Sequence, residues 1–119
     1  MILVDTSVWI DHFRRSVPVL VDILRENRVL IHPMIVGEIA CGSLRQRSEI
    51  LPLLQLLPLA ESPSQEEALH FIEKQKLFGQ GVGWVDVNLL ASCRLSGSTI
   101  WTRDKSLLKV ATALRLHYS

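Results

Sequence analysis

Short apolar runs alternate with longer amphipathic stretches along this chain, and that rhythm predicts its elements. Residues 2–4 form an apolar run read as a buried strand. Asp5-Thr6-Ser7 supplies cap chemistry, and a helix is predicted over residues 8–14. Pro18 suits the first turn of a second helix over residues 19–27, where Val19, Leu20, Ile23 and Leu24 recur at helical spacing. Residues 29–31 read as a second strand, ended by Pro33. Helices follow over residues 35–44 and 48–56, then a weak strand candidate at 57–59, interrupted by Pro58. Ser64 and Glu67 have the spacing of a capping box, opening a helix that runs to residue 76. Gly79-Gln80-Gly81-Val82-Gly83 reads as a flexible break. The helix predicted over residues 84–95 is apolar on nearly all sides, hence mostly buried. A third strand at 99–101, a helix opened by Asp104 and running to residue 111, and a closing strand at 115–118 complete the chain.

Strands alternating with helices imply an α/β fold, a sandwich with a mainly parallel central sheet. The strands are short and uniformly apolar, which suits a sheet covered on both faces. The length, 119 residues, fits a single domain over 1–119 with a real core, and no repeat or linker divides it. Composition adds two constraints. Hydrophobic residues make up 48% and the mean hydropathy is +0.25, so either the core is large or a partner covers apolar surface. The net charge of +1 excludes a polycation that coats nucleic acid. Any RNA contact must be a local patch or be bridged by metal ions. Cys41 and Cys93 sit in apolar, helix-like stretches and read as reduced thiols, with a disulfide left open. The apolar start lacks a basic leader and no run reaches membrane length, so a cytoplasmic protein without membrane association is expected.

Four of the twelve acidic residues stand in unusual settings. Asp5 directly follows the first strand, and open α/β sheets bind ligands beyond the carboxyl ends of their strands. Asp104 follows the third strand and opens a helix, a comparable place. Helix capping explains either one equally well. Glu38 is the lone charge in Ile35-Val36-Gly37-Glu38-Ile39-Ala40-Cys41: either it is buried and needs compensation, or it marks the exposed stripe of a one-sided helix. Asp86 is the lone charge in Trp84-Val85-Asp86-Val87-Asn88-Leu89-Leu90-Ala91. The helix dipole accounts for an acid in a first turn, but not for its apolar neighbours. Four carboxylates that met would repel one another unless cations neutralised them. Oxygen donors without clustered histidine or cysteine select Mg²⁺ or Mn²⁺, and such a site suits phosphodiester cleavage.

Other residues carry less. Arg14, Arg15, Arg45, Arg47, Arg103 and Lys105 are candidate phosphate contacts, with Arg103 and Lys105 favoured because they flank Asp104; ordinary solvated surface explains most of them. His12, His32, His70 and His117 lack ligand spacing and read as structural or exposed. Trp9, Trp84 and Trp101 read as core. An aspartyl phosphatase is disfavoured, because its usual second acid is replaced by Ser7.

Four segments resemble the PIN domain, specifically the VapC-type toxin ribonucleases: Leu3-Val4-Asp5-Thr6-Ser7-Val8-Trp9-Ile10, Gly37-Glu38-Ile39-Ala40-Cys41-Gly42, Trp84 through Ser92, and Thr102-Arg103-Asp104-Lys105-Ser106-Leu107. They occur in the family's order and span nearly the whole chain. The resemblance implies a PIN-like α/β/α sandwich and Mg²⁺- or Mn²⁺-dependent endoribonuclease activity. It implies a toxin that forms a homodimer, is neutralised by a cognate antitoxin and meets DNA only through that antitoxin. Asp5, Glu38, Asp86 and Asp104 match the catalytic, metal-binding acidic quartet, and Ser7 and Thr102 match supporting hydroxyl positions. The stretches between Asp5 and Glu38 and between Glu38 and Asp86 are short for the family. A catalytically silent PIN-like protein-interaction module is the alternative; the presence of all four acids argues against it.

Overall fold

A computed structural model describes residues 1–119. The central strand β1 (Ile2–Val4) pairs in parallel with β2 (Val29–Leu30) on one side and β3 (Thr99–Trp101) on the other, giving the order β2-β1-β3. Leu3 lies opposite both Leu30 and Ile100. Single parallel bridges, Ile31 to Leu59 and Ile100 to His117, extend the sheet at each edge. These bridges are where the sequence predicted a weak strand and a closing strand. Pro58 has no N–H to donate, but its carbonyl accepts from the Ile31 N–H at 2.9 Å.

The remaining elements are α1 (Thr6–Arg14), α2 (Pro18–Arg25), α3 (Pro33–Cys41), α4 (Arg47–Leu54), α5 (Gln65–Gln75), α6 (Trp84–Ser96) and α7 (Lys105–Ala113). Their starts follow from local chemistry. Pro18 and Pro33 occupy first helical positions, where a missing N–H costs nothing. Pro33 therefore begins α3 as well as ending the strand before it. Ser64 accepts from the Glu67 N–H while Glu67 accepts from the Ser64 N–H, a complete capping box. Gly79 and Gly81 take left-handed backbone, φ 71° and 82°. A Cβ on Gly81 would come within 3.4 Å of Ser106 Oγ, so this loop lies against the start of α7.

One apolar core joins Leu3, Val4, Leu20, Ile31, Ile35, Ile39, Leu89, Leu90 and Ile100 between the sheet and its helices. As its all-round apolarity predicted, α6 is buried from Val87 through Cys93. One expectation needs correction. Trp84 is exposed, because it sits at the first position of α6, before that helix enters the core. Cys41 is exposed at the end of α3. Glu38 is exposed as well, because α3 is one-sided: Ile35 and Ile39 face the core while Gly37 and Glu38 face solvent. Both cysteines are free, and burial pushes the Cys93 thiol up to about 11.

Candidate active site

All strands are parallel, so their carboxyl ends share one edge of the sheet. Asp5 leaves β1 there, and Thr102, Arg103 and Asp104 leave β3. α6 leads back into β3 and so runs against the strands, which puts its first turn, with Asp86, at the same edge. Glu38 arrives from α3, which begins beyond β2.

Asp5 occupies the N-cap position of α1, yet its side chain makes no capping hydrogen bond. It is buried, 7% exposed, and its Oδ2 accepts instead from the hydroxyls of Ser7 (2.7 Å) and Thr102 (2.8 Å). Its backbone N–H donates to the Trp101 carbonyl at 2.9 Å, tying it to β3. Capping, one of two readings open in the sequence, does not account for this side chain. Ser7 and Thr102 are thus both within hydrogen-bond reach of Asp5. Each also accepts a backbone bond, Ser7 from Arg103 and Thr102 from Asp104, at 3.0 Å.

Asp104 does cap: its Oδ1 accepts from the Leu107 N–H at 2.9 Å, and it is exposed. The cap engages one oxygen. Asp86 is half-buried and accepts from the Gly83 N–H at 3.2 Å. Its carboxyl is pushed above the usual carboxylate range, chiefly by burial and then by repulsion from Asp5, Asp104 and Glu38, against the downward pull of the Gly83 N–H. Asp86 thus feels the charge of each of the other three acids. Sequence reasoning passed over Thr6 except as cap material: its hydroxyl donates to Glu38 Oε1 at 2.7 Å. The adjacent hydroxyls after Asp5 were the available signal. The Arg103 guanidinium is engaged with Asp11 at 2.9 Å, an ion pair half-open to solvent, and Lys105 is exposed.

The donor set is all oxygen, which fits Mg²⁺ or Mn²⁺. No three of these acids stand close enough to enclose an ion. An open rim is compatible with Mg²⁺, which keeps several waters and takes one or two carboxylates plus substrate phosphate.

A family model described as PIN domain matches residues 2–113. The chain belongs to the PIN domain family. This PIN domain is 44% identical, over 108 residues, to Ribonuclease VapC32 of two Mycobacterium tuberculosis strains, the match covering 90% of this chain and 87% of the relative. It also resembles the crystal structure of PAE2754 from Pyrobaculum aerophilum, with a TM-score of 0.62 at 17% identity, covering 92% of this chain and 78% of the other. That second likeness concerns the fold alone. No helix of this PIN domain is long and apolar enough to cross a membrane.

Proposed function

We propose that this PIN domain is a metal-dependent endoribonuclease, the toxin of a toxin–antitoxin pair, acting in the cytoplasm as a homodimer. The observation that carries this reading is Asp5. It is a buried carboxylate released from capping and held by two hydroxyls, beside an Asp86 whose charge three other acids oppose. Such an arrangement stores electrostatic repulsion and costs stability unless cation binding repays it. The identity with Ribonuclease VapC32 supports RNA as substrate, and the resemblance to VapC-type toxins supports an antitoxin as partner.

Asp5, Glu38, Asp86 and Asp104 would hold Mg²⁺ or Mn²⁺. A bound ion there would supply water activation and charge stabilisation for phosphodiester hydrolysis. The protein supplies orientation. Ser7 and Thr102 engage Asp5 Oδ2 and leave Oδ1 without a side-chain hydrogen bond. The Asp104 cap likewise leaves Oδ2. Exposed Lys105, and Arg103 when its pair with Asp11 opens, would contact phosphates.

Asp5→Asn tests the reading directly. The variant keeps acceptors for Ser7 and Thr102 but loses the charge. Cleavage of total RNA by the purified protein in Mg²⁺ or Mn²⁺ should fall by at least about 100-fold, near background, because the metal site supplies several kcal/mol of transition-state stabilisation. Undiminished cleavage by a folded Asp5→Asn protein removes Asp5 from the site.

A further inference from the structure

Thr6 and Ser7 are consecutive residues in the first turn of α1, and their hydroxyls bond to two acids from different parts of the chain. Ser7 donates to Asp5, at the end of β1. Thr6 donates to Glu38 Oε1 across 32 positions of sequence, at 2.7 Å. We propose that Thr6 is a positioning residue that holds Glu38 over the metal-binding edge, so that α1 sets the placement of Asp5 and Glu38 together. The proposal deepens the metal-nuclease reading and rests on it.

Glu38 needs such a restraint for two reasons. It is exposed on α3, where a glutamate has several rotamers open to it. Its charge also opposes that of Asp86, and like-charge repulsion favours rotamers that swing it into water. Glu38 makes no other side-chain hydrogen bond or ion pair, so Thr6 is its one anchor in the structure. The bond occupies Oε1 and leaves Oε2 for a cation, repeating at Glu38 the arrangement at Asp5. Threonine suits the task because branching at Cβ restricts χ1 to few wells, and helix backbone fixes the rest. Thr6 hydroxyl does not cap its own helix; the bond it makes is to Glu38.

The experiment is a Mn²⁺ titration of the purified full chain, read by electron paramagnetic resonance of the free ion, with no RNA present. Thr6→Val keeps the shape and removes the donor. Its Mn²⁺ affinity should fall about 10-fold or more, the usual cost of losing an outer partner of a metal-ligating group. Thr6→Ser should restore most of that loss, and thermal unfolding without metal should be unchanged within a few degrees in both variants. In a Glu38→Gln background, Thr6→Val should have no further effect, because its route is through that carboxylate. Equal affinity of wild type and Thr6→Val overturns the proposal, as does a full additional loss in the Glu38→Gln background. A wild-type protein that does not bind Mn²⁺ at all overturns the metal-nuclease reading and takes this inference with it, an outcome distinct from the other two.

Discussion

Asp86 is a carboxylate whose ionisation the fold opposes, and that gives its charge a measurable sign. Burial and three neighbouring acids raise its pKa above the unfolded value. Between those two values the folded protein binds more protons than the unfolded one, so stability falls as pH rises through the window and stays lower above it. Removing the charge by Asp86→Asn should therefore raise the thermal midpoint at neutral pH without divalent ions. The gain should shrink as the pH drops through the raised value toward about 3.9, where the unfolded carboxyl is protonated as well. Added Mn²⁺ should reverse the order, stabilising the wild type and not the variant. A scanning-calorimetry series with and without Mn²⁺ checks both halves; a less stable Asp86→Asn protein in metal-free buffer contradicts the account. Individual acids were only partly legible in the sequence. Burial among apolar neighbours made Asp86 suspicious, and it is half-buried. For Glu38 the sequence left burial and an exposed stripe both open, and the structure takes the second, with Gly37 and Glu38 on the solvent face. For Asp5 capping was one of two open readings, and its side chain does not cap, since only the third dimension shows Thr102 arriving from β3 to engage its oxygen.

At the scale of elements, His32 links the pieces that carry the acids. It is buried at the end of β2, and its Nδ1 accepts from the Met34 N–H at 3.0 Å, capping α3, which bears Glu38. Nε2 therefore carries the proton, and it lies 3.0 Å from Ser92 Oγ on α6, the helix that bears Asp86. Burial lowers the His32 pKa, so the unfolded chain takes up a proton first on acidification. This contribution to stability is complete above about 6.5 and is lost as pH falls below it. Protonation of Nδ1 also abolishes the cap. His32→Asn supplies a non-titrating N-cap; it should lose some packing at pH 8 yet show a shallower decline in thermal midpoint between pH 6.5 and 5 than wild type. An unchanged slope would remove His32 as a source of acid sensitivity. Elements were more legible than acids. Thr99–Trp101 forms where predicted, and the capping box at Ser64 is complete, because strands and caps are coded locally. The strands predicted at 57–59 and 115–118 are in place, but their shrinkage to single bridges at Leu59 and His117 was not legible, since pairing partners distant in sequence decide it.

At the scale of the whole molecule, the acidic edge has no cover of its own. Glu38, Asp104 and Lys105 are all exposed, and α1, α6 and α7 approach the site only with their first turns. On the proposed reading, restraint of the nuclease would have to come from outside the chain. Its surface also carries large apolar groups that the core does not use: Leu53 and Leu59 are 64% exposed and Leu56 is 79% exposed, around the end of α4. Exposed leucines of this kind are compatible with a protein partner, one of the two explanations that the apolar composition left open. Both features support a toxin held in check by an antitoxin, and they make a cellular prediction. Induced alone in a bacterial host, the wild-type chain should arrest growth within a few generations, with new RNA ends appearing before the arrest. Asp86→Asn should be tolerated at equal or higher protein level, since removing that charge relieves repulsion in the fold while weakening the site. The pairing matters: a tolerated variant that is also scarce would point to misfolding, whereas an abundant, soluble variant isolates the loss of chemistry. Normal growth with abundant, soluble wild-type protein would count against the toxin role while leaving the metal-site measurements on Asp5, Thr6 and Asp86 to stand by themselves.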